Sequence, residues 1–83
     1  MYRIRILPSA EKDLDEFPAK IFNQIRNKIF QLKENPRLHG AIKLTSEGAY
    51  RMRVGDYRLL YRIDDTAKVI FIYRVKHRKE AYR

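Results

Sequence analysis

Between Tyr50 and Ile63 the chain alternates apolar and charged residues with a period of two, breaks once at Gly55-Asp56, and then resumes the alternation. Tyr50, Met52 and Val54 point one way and Arg51 and Arg53 the other; beyond the break, Tyr57, Leu59, Tyr61 and Ile63 share the first side and Arg58 and Arg62 the second. Gly-Asp between two such runs suits a two-residue hairpin turn with glycine at its first position. That pairing sets Val54 opposite Tyr57 and Arg53 opposite Arg58, both arginines on the same side. Like charges directly opposite one another destabilise a sheet. A sequence that accepts this is better explained by a bound polyanion than by stability, since guanidinium groups match phosphate in charge and geometry.

The rest of the chain reads as support for that surface. Residues 2–7 alternate, with Tyr2, Ile4 and Ile6 on one face and Arg3 and Arg5 on the other, as in a half-buried strand. Pro8-Ser9 stops it, and Ser9 is expected to cap a short helix with Glu11 and Asp13 in the first turn, where negative charge suits the helix dipole. Ala10, Leu14 and Phe17 form the apolar stripe of that helix. Pro18 ends it and opens a second, longer helix with Ile21, Phe22, Ile25, Ile29 and Leu32 on one stripe, closed by Pro36 near Asn35.

Residues 36–49 contain Pro36, Gly40 and Gly48 and read as a connecting loop in which Leu44 docks inward. After the hairpin, residues 64–67 turn the chain into a third strand from Lys68 to Val75, the most apolar one and expected to be central, with a register that the loop leaves open. The expectation is one small α+β domain over residues 1–83. Its order is βααβββ, with an antiparallel-dominated sheet packed on one face by the N-terminal helical hairpin.

A chain of 83 residues buries a modest share of its surface, so the stability margin should be thin. There is no cysteine, which excludes disulfides and thiolate metal sites. His39 and His77 lie far apart without ligand-spaced neighbours, so no metal and no cofactor is implied. The longest apolar run, Val69 to Tyr73, falls far short of the ~20 residues that span a bilayer. The start, MYRIRILPS, has no signal-peptide core. A soluble, cytoplasmic protein without membrane partners is expected.

The formal net charge is +9. Residues 1–48 carry nine Lys/Arg against six Asp/Glu, and residues 49–83 carry ten against four, so two thirds of the excess lies in the second part. A basic surface of this kind attracts nucleic acid or an acidic protein. The last strand leads into a dense polar tail holding His77, Arg78 and Tyr82, with Lys76, Lys79 and Arg83 beside them.

Taken in order, these elements and the phrases KLTSEGAYRMRVGDYRLLYRID and YRVKHRKEAYR resemble the RelE/ParE superfamily of toxins from type II toxin–antitoxin pairs, over almost the whole chain. The resemblance implies an mRNA interferase that cuts codons in the ribosomal A site, acting as a monomeric toxin that a cognate antitoxin binds in a hetero-oligomer. ParE-like members instead poison DNA gyrase, and a decayed toxin would bind RNA without cutting it; both remain alternatives. Carried over by position, Arg51 and Arg53 stand where RelE-like toxins place backbone-contacting basic residues, often lysines. Arg58, Arg78 and Tyr82 match the arginines and tyrosine of the site, and His77 a histidine found in several branches.

Arginine stays protonated and is a poor general base, so positions 51 and 53 can neutralise phosphate but not take a proton. The chain ends one residue after Tyr82, so a further helix covering the site is not expected. The implied reaction is in-line attack of a ribose 2′-OH on the scissile phosphate, without a metal. Arg58 and Arg78 are expected to stabilise the transition-state charge, and His77 and Tyr82 to share acid–base work, imidazole being the readiest proton exchanger near neutral pH. Glu47 is a more distant candidate. Arg51 and Arg53 would position the RNA backbone, with Arg62, Lys76 and Lys79 contributing general electrostatic attraction. His39 is expected to be an ordinary loop residue.

Overall fold

Five strands form one mixed sheet in the computed structural model, which describes residues 1–44 and 48–81. In chain order the elements are β1 (Arg3–Ile6), α1 (Pro8–Asp15), α2 (Ala19–Glu34), β2 (Ile42–Lys43), β3 (Ala49–Val54), β4 (Tyr57–Asp64), β5 (Val69–His77) and the short α3 (Arg78–Ala81). The spatial order is β1-β5-β4-β3-β2. β1 runs parallel to β5 and every other pairing is antiparallel. Among the described residues no helix is long and apolar enough to cross a membrane.

Both helices bury their stripes on one face of the sheet. Ala10 and Leu14 of α1 and Ile25, Ile29 and Leu32 of α2 join Tyr50, Met52, Val54, Leu59, Tyr61, Ile63, Ile70, Ile72 and Val75 in one core. The aromatic residues of that face interlock: Tyr50 stacks on Tyr61 at 5.8 Å, and Tyr57 packs against Phe17 at 4.7 Å. Each fully buried side chain of this kind contributes about 1.5–3 kcal/mol, which is how so short a chain holds its layers.

Four expectations are corrected. The loop after α2 contains a further strand, β2, whose two residues pair with Tyr50 and Arg51 on β3; two residues are too few for alternation to betray them. Ser9 does not cap α1: the helix starts at Pro8 behind Leu7, without a side-chain cap. The Ser9 hydroxyl instead donates to the Tyr73 carbonyl at 2.6 Å, closing a backbone group on β5 beyond the reach of β1. Phe22, placed on the buried stripe of α2, is 39% exposed, and Phe30 is 55% exposed. The third hairpin strand is interior, between β1 and β4, while β4 occupies the middle of the sheet.

The hairpin itself has the expected register. Val54 pairs with Tyr57 and Arg53 with Arg58, and Gly55 takes the left-handed φ of +60° that the first turn position demands. The register of β5, open from sequence, includes a bulge: Leu60 faces Arg74 and Tyr61 faces Ile72, leaving Tyr73 as the extra residue.

Candidate functional site

Because paired residues share a face, the register lays out the surface that the helices leave uncovered. At the hairpin end, Arg53, Arg58 and Lys76 form one row across β3, β4 and β5. The next row on that face holds Ile42, Arg51, Leu60 and Arg74, and the one beyond it Arg62 with Phe71 and Arg5. Cations therefore recur on four strands of one face.

Arg58 stands at the centre of the first row and is the exception among its neighbours. It is 7% exposed, the one buried charged residue among those described. Its Nη1 lies 3.4 Å from the Tyr57 carbonyl, at the long limit of a hydrogen bond. Arg53 is exposed and its Nε donates to the Gly55 carbonyl at 3.0 Å, which ties its stem to the turn. Gly40, Ile42, Arg51, Arg53 and Arg58 line an open cleft of about 190 Å³. Such a cleft suits a phosphate group: several fixed cations converge, and the low-dielectric floor strengthens the field of the buried one.

The C-terminal tail meets this end of the sheet. The Arg78 amide donates to the Asp56 carbonyl at 2.7 Å, so α3 begins against the hairpin turn. Arg78 and Lys79 are exposed there. His77 pairs with Tyr57, one register position beyond Lys76, and so starts from the helix-side face, with its ring edge-on to Tyr57 at 5.3 Å. Its Nδ1 accepts from the Lys79 amide at 3.3 Å. His77 thus reaches the arginine row only around the end of β5. Tyr82, Glu47 and Arg83 lie outside the described residues.

The remaining expected cations divide by use. Arg62 is exposed, with its guanidinium 5.6 Å from the centre of the Tyr73 ring. Arg74 is committed to α1: its Nε and Nη2 reach Asp13 at 2.8 and 3.1 Å, while the Val75 amide donates to the same carboxylate at 2.8 Å. Burial pushes the Asp13 carboxyl up, but the bonds from Arg74 and Val75 and the charges of Arg74 and Lys76 outweigh it and hold it below the ordinary carboxylate range. His39 is an exposed loop residue.

Sequence reasoning missed two features. One is the wall that Gly40 and Ile42 supply to the cleft, which follows from β2. The other is a polar cluster at the far end of the sheet, where Arg37 donates to both carboxylate oxygens of Asp65 at 3.1 and 2.7 Å and to the Tyr50 hydroxyl at 3.0 Å. The Tyr2 hydroxyl donates to the same Asp65 at 2.6 Å. The bonds from Arg37 and Tyr2 lower the Asp65 carboxyl to about 2. Only the three-dimensional path of the loop joins positions 2, 37, 50 and 65.

Comparison with known proteins agrees with this geometry. The family model described as ParE toxin of type II toxin–antitoxin system, parDE, matches residues 4–82. The chain is 36% identical to toxin RelG of Mycobacterium tuberculosis over 84 residues, covering 99% of this chain and 97% of the relative. It is 34% identical to toxin RelE of the same organism, covering 99% and 87%. Among solved structures, it resembles a chain of the M. tuberculosis RelBE2 toxin–antitoxin complex with 37% identity and a TM-score of 0.81, covering 92% of this chain and 96% of that one. It also resembles a chain of the archaeal RelE–RelB complex of Pyrococcus horikoshii, with 31% identity, a TM-score of 0.84, and coverage of 93% and 94%. Together, the match over nearly the whole chain, the shared fold and the close relatives make this chain a member of the RelE/ParE toxin family of type II toxin–antitoxin systems.

Proposed function

We propose that the protein is a ribosome-dependent endoribonuclease that cleaves messenger RNA in the A site. The observation that carries this reading is Arg58, a buried guanidinium set between Arg53 and Lys76 on the uncovered face. Cations gathered from three neighbouring strands around a buried guanidinium match the charge of a phosphate passing through the site.

In the proposed reaction the 2′-oxygen forms a bond to phosphorus while the bond to the 5′-oxygen breaks, giving a 2′,3′-cyclic phosphate and a free 5′-hydroxyl. The 2′-OH proton leaves to a base, and the departing 5′-oxygen gains one from an acid. Arg58, with Arg78 from α3, stabilises the charge that develops on the non-bridging oxygens, a contribution of about 2.7–4 kcal/mol for one well-placed donor. Arg51 and Arg53 hold the RNA backbone across the cleft, and Arg62, Lys76 and Lys79 attract it. Proton transfer is assigned jointly to His77 and Tyr82, the assignment that the family resemblance implies, and the Arg78 amide sets the start of α3 against the hairpin turn.

An antitoxin is the expected partner, because relatives have been solved in complexes with RelB. An apolar groove of about 270 Å³ between β1 and α2, lined by Ile4, Ile6, Ile25 and Ile29 and edged by Phe22, Phe30, Arg26 and Lys33, supports the docking of an amphipathic acidic segment. The toxin would act as a monomer once released.

The name of the matching family model favours a second reading, inhibition of DNA gyrase by protein contact. Primer extension on a defined messenger RNA, with purified ribosomes and in parallel with free RNA, separates the two. New 3′ ends inside A-site codons, seen only with ribosomes, support the nuclease. Intact RNA with a folded and toxic preparation, together with lost supercoiling by gyrase, would support the other.

A further inference from the structure

We infer that the Arg37–Asp65 pair positions the wall of the arginine cleft and thereby sets the efficiency of the site, although neither residue touches the cleft. The inference rests on the nuclease reading above. The segment from Pro36 to Lys43 leaves α2 on the helix side and passes around the sheet edge, where Gly40 and Ile42 line the cleft beside Arg51, Arg53 and Arg58. Its far end is held by the short pairing of Ile42 with Arg51 and Lys43 with Tyr50 and by the Leu44 amide, which donates to the Ala49 carbonyl at 2.9 Å, while Leu38 and Ala41 pack against the core. Two-residue pairings are weak by themselves.

The near end is held by side chains. The Arg37 fork grips Asp65, which sits in the turn between β4 and β5, and its Nε reaches the Tyr50 hydroxyl on β3. Tyr2 at the start of β1 braces the same carboxylate, and the Tyr61 hydroxyl donates to the Pro36 carbonyl at 2.8 Å. Four separate parts of the sheet thus converge on the start of one loop. Arg37 and Asp65 are roughly half exposed, at 46% and 52%, so the pair adds little to global stability. Its geometry is nonetheless bidentate and braced, which suits a positioning role. Gly40, at φ +99°, reverses the chain just before the wall, so its direction depends on how residues 36–38 are held.

The test compares wild type with Arg37→Ala, Asp65→Asn, the double variant and the conservative Arg37→Lys. Amide exchange should accelerate about tenfold at Ala41, Ile42 and Lys43 in the first three while β4 and β5 amides are unchanged. Single-turnover cleavage on programmed ribosomes should fall about 10- to 100-fold at saturation, as small misplacements do. The double variant should be no slower than the worse single, and Arg37→Lys should recover part of the loss. Unchanged exchange at residues 41–43, or unchanged cleavage, would overturn the inference; uniform loosening of the whole sheet would make the pair merely structural and overturn it too. Should the wild type itself leave RNA uncut, the nuclease reading fails separately. The inference is then decided by exchange and by affinity for a single-stranded RNA oligonucleotide, which must weaken in Arg37→Ala for it to stand.

Discussion

Replacing Arg58 by methionine should disable the protein and change how its stability responds to salt and to RNA. Arg58 faces Arg53 on one strand and Lys76 on the other. Each directly opposed like-charge pair costs about 0.2–1 kcal/mol, so removing the middle charge relieves about 0.4–2 kcal/mol. Against this stand the guanidinium's own polar contacts, among them that of Nη1 with the Tyr57 carbonyl at 3.4 Å. Methionine keeps an unbranched stem in a position that is 7% exposed, and exchanging a buried charge for an apolar group of similar shape is often neutral or favourable. A net change of about 1 kcal/mol would shift Tm by about 4–8 °C in a domain of this size. Thermal unfolding at two salt concentrations is the assay. Added salt should stabilise the wild type more than the variant, because screening relieves a repulsion that only the wild type has. A single-stranded RNA oligonucleotide should raise the Tm of the wild type but barely that of Arg58→Met. An equal salt response in the two proteins, with RNA stabilisation retained in Arg58→Met, would refute the reasoning and make the guanidinium a structural element.

Other outcomes follow from the same contacts. Tyr61→Phe leaves the buried Pro36 carbonyl without its donor and should cost about 1–3 kcal/mol in thermal unfolding. Burial pushes the Tyr61 hydroxyl up to about 12; its contribution is complete below the unfolded value near 10 and is lost as pH rises towards about 12, so Tyr61→Phe should flatten the alkaline limb of a stability–pH curve. Asp65 behaves with the opposite sign: its carboxyl is held at about 2, so its contribution is present above the unfolded value near 3.9 and disappears as pH falls through about 2. Asp65→Asn should therefore remove part of the acid dependence, read by circular dichroism from pH 5 downwards. Asp13→Ala removes one partner of Arg74 and the acceptor of the Val75 amide and should lower stability by about 1–3 kcal/mol, while Asp13→Asn, which keeps an acceptor, should lower it less.

Much of this was legible because alternation is a rigid constraint. Once Gly55-Asp56 is accepted as a two-residue turn, the meeting of Arg53 with Arg58 follows without coordinates, and so does the separation of Tyr50, Tyr57 and Tyr61 from the arginines. What alternation does not encode is depth. Arg51, Arg53, Arg58 and Arg62 look equivalent in sequence, yet of the four Arg58 alone is buried: it lies between Arg53 and Lys76, whereas Arg62 on the same strand lies between Ala49 and Phe71. The bulge at Tyr73 shifts β5 so that Lys76, not His77, faces Arg58. A single extra residue, invisible to periodicity, decides which tail side chain joins the row. Ser9 was misread for a related reason: its hydroxyl serves a strand carbonyl 64 positions away instead of its own helix. Long-range polar contacts such as Arg37 with Asp65 leave no local signature at all.

The most direct test of the central claim is single-turnover cleavage of an A-site codon on programmed ribosomes by wild type and by Arg58→Met, with the fold of both verified by their unfolding transitions. The account predicts cleavage by the wild type, products ending in a cyclic phosphate, and a loss of about 10²–10³-fold in the variant. A folded wild type that leaves the codon intact, or an Arg58→Met protein that cuts at the wild-type rate, would contradict it.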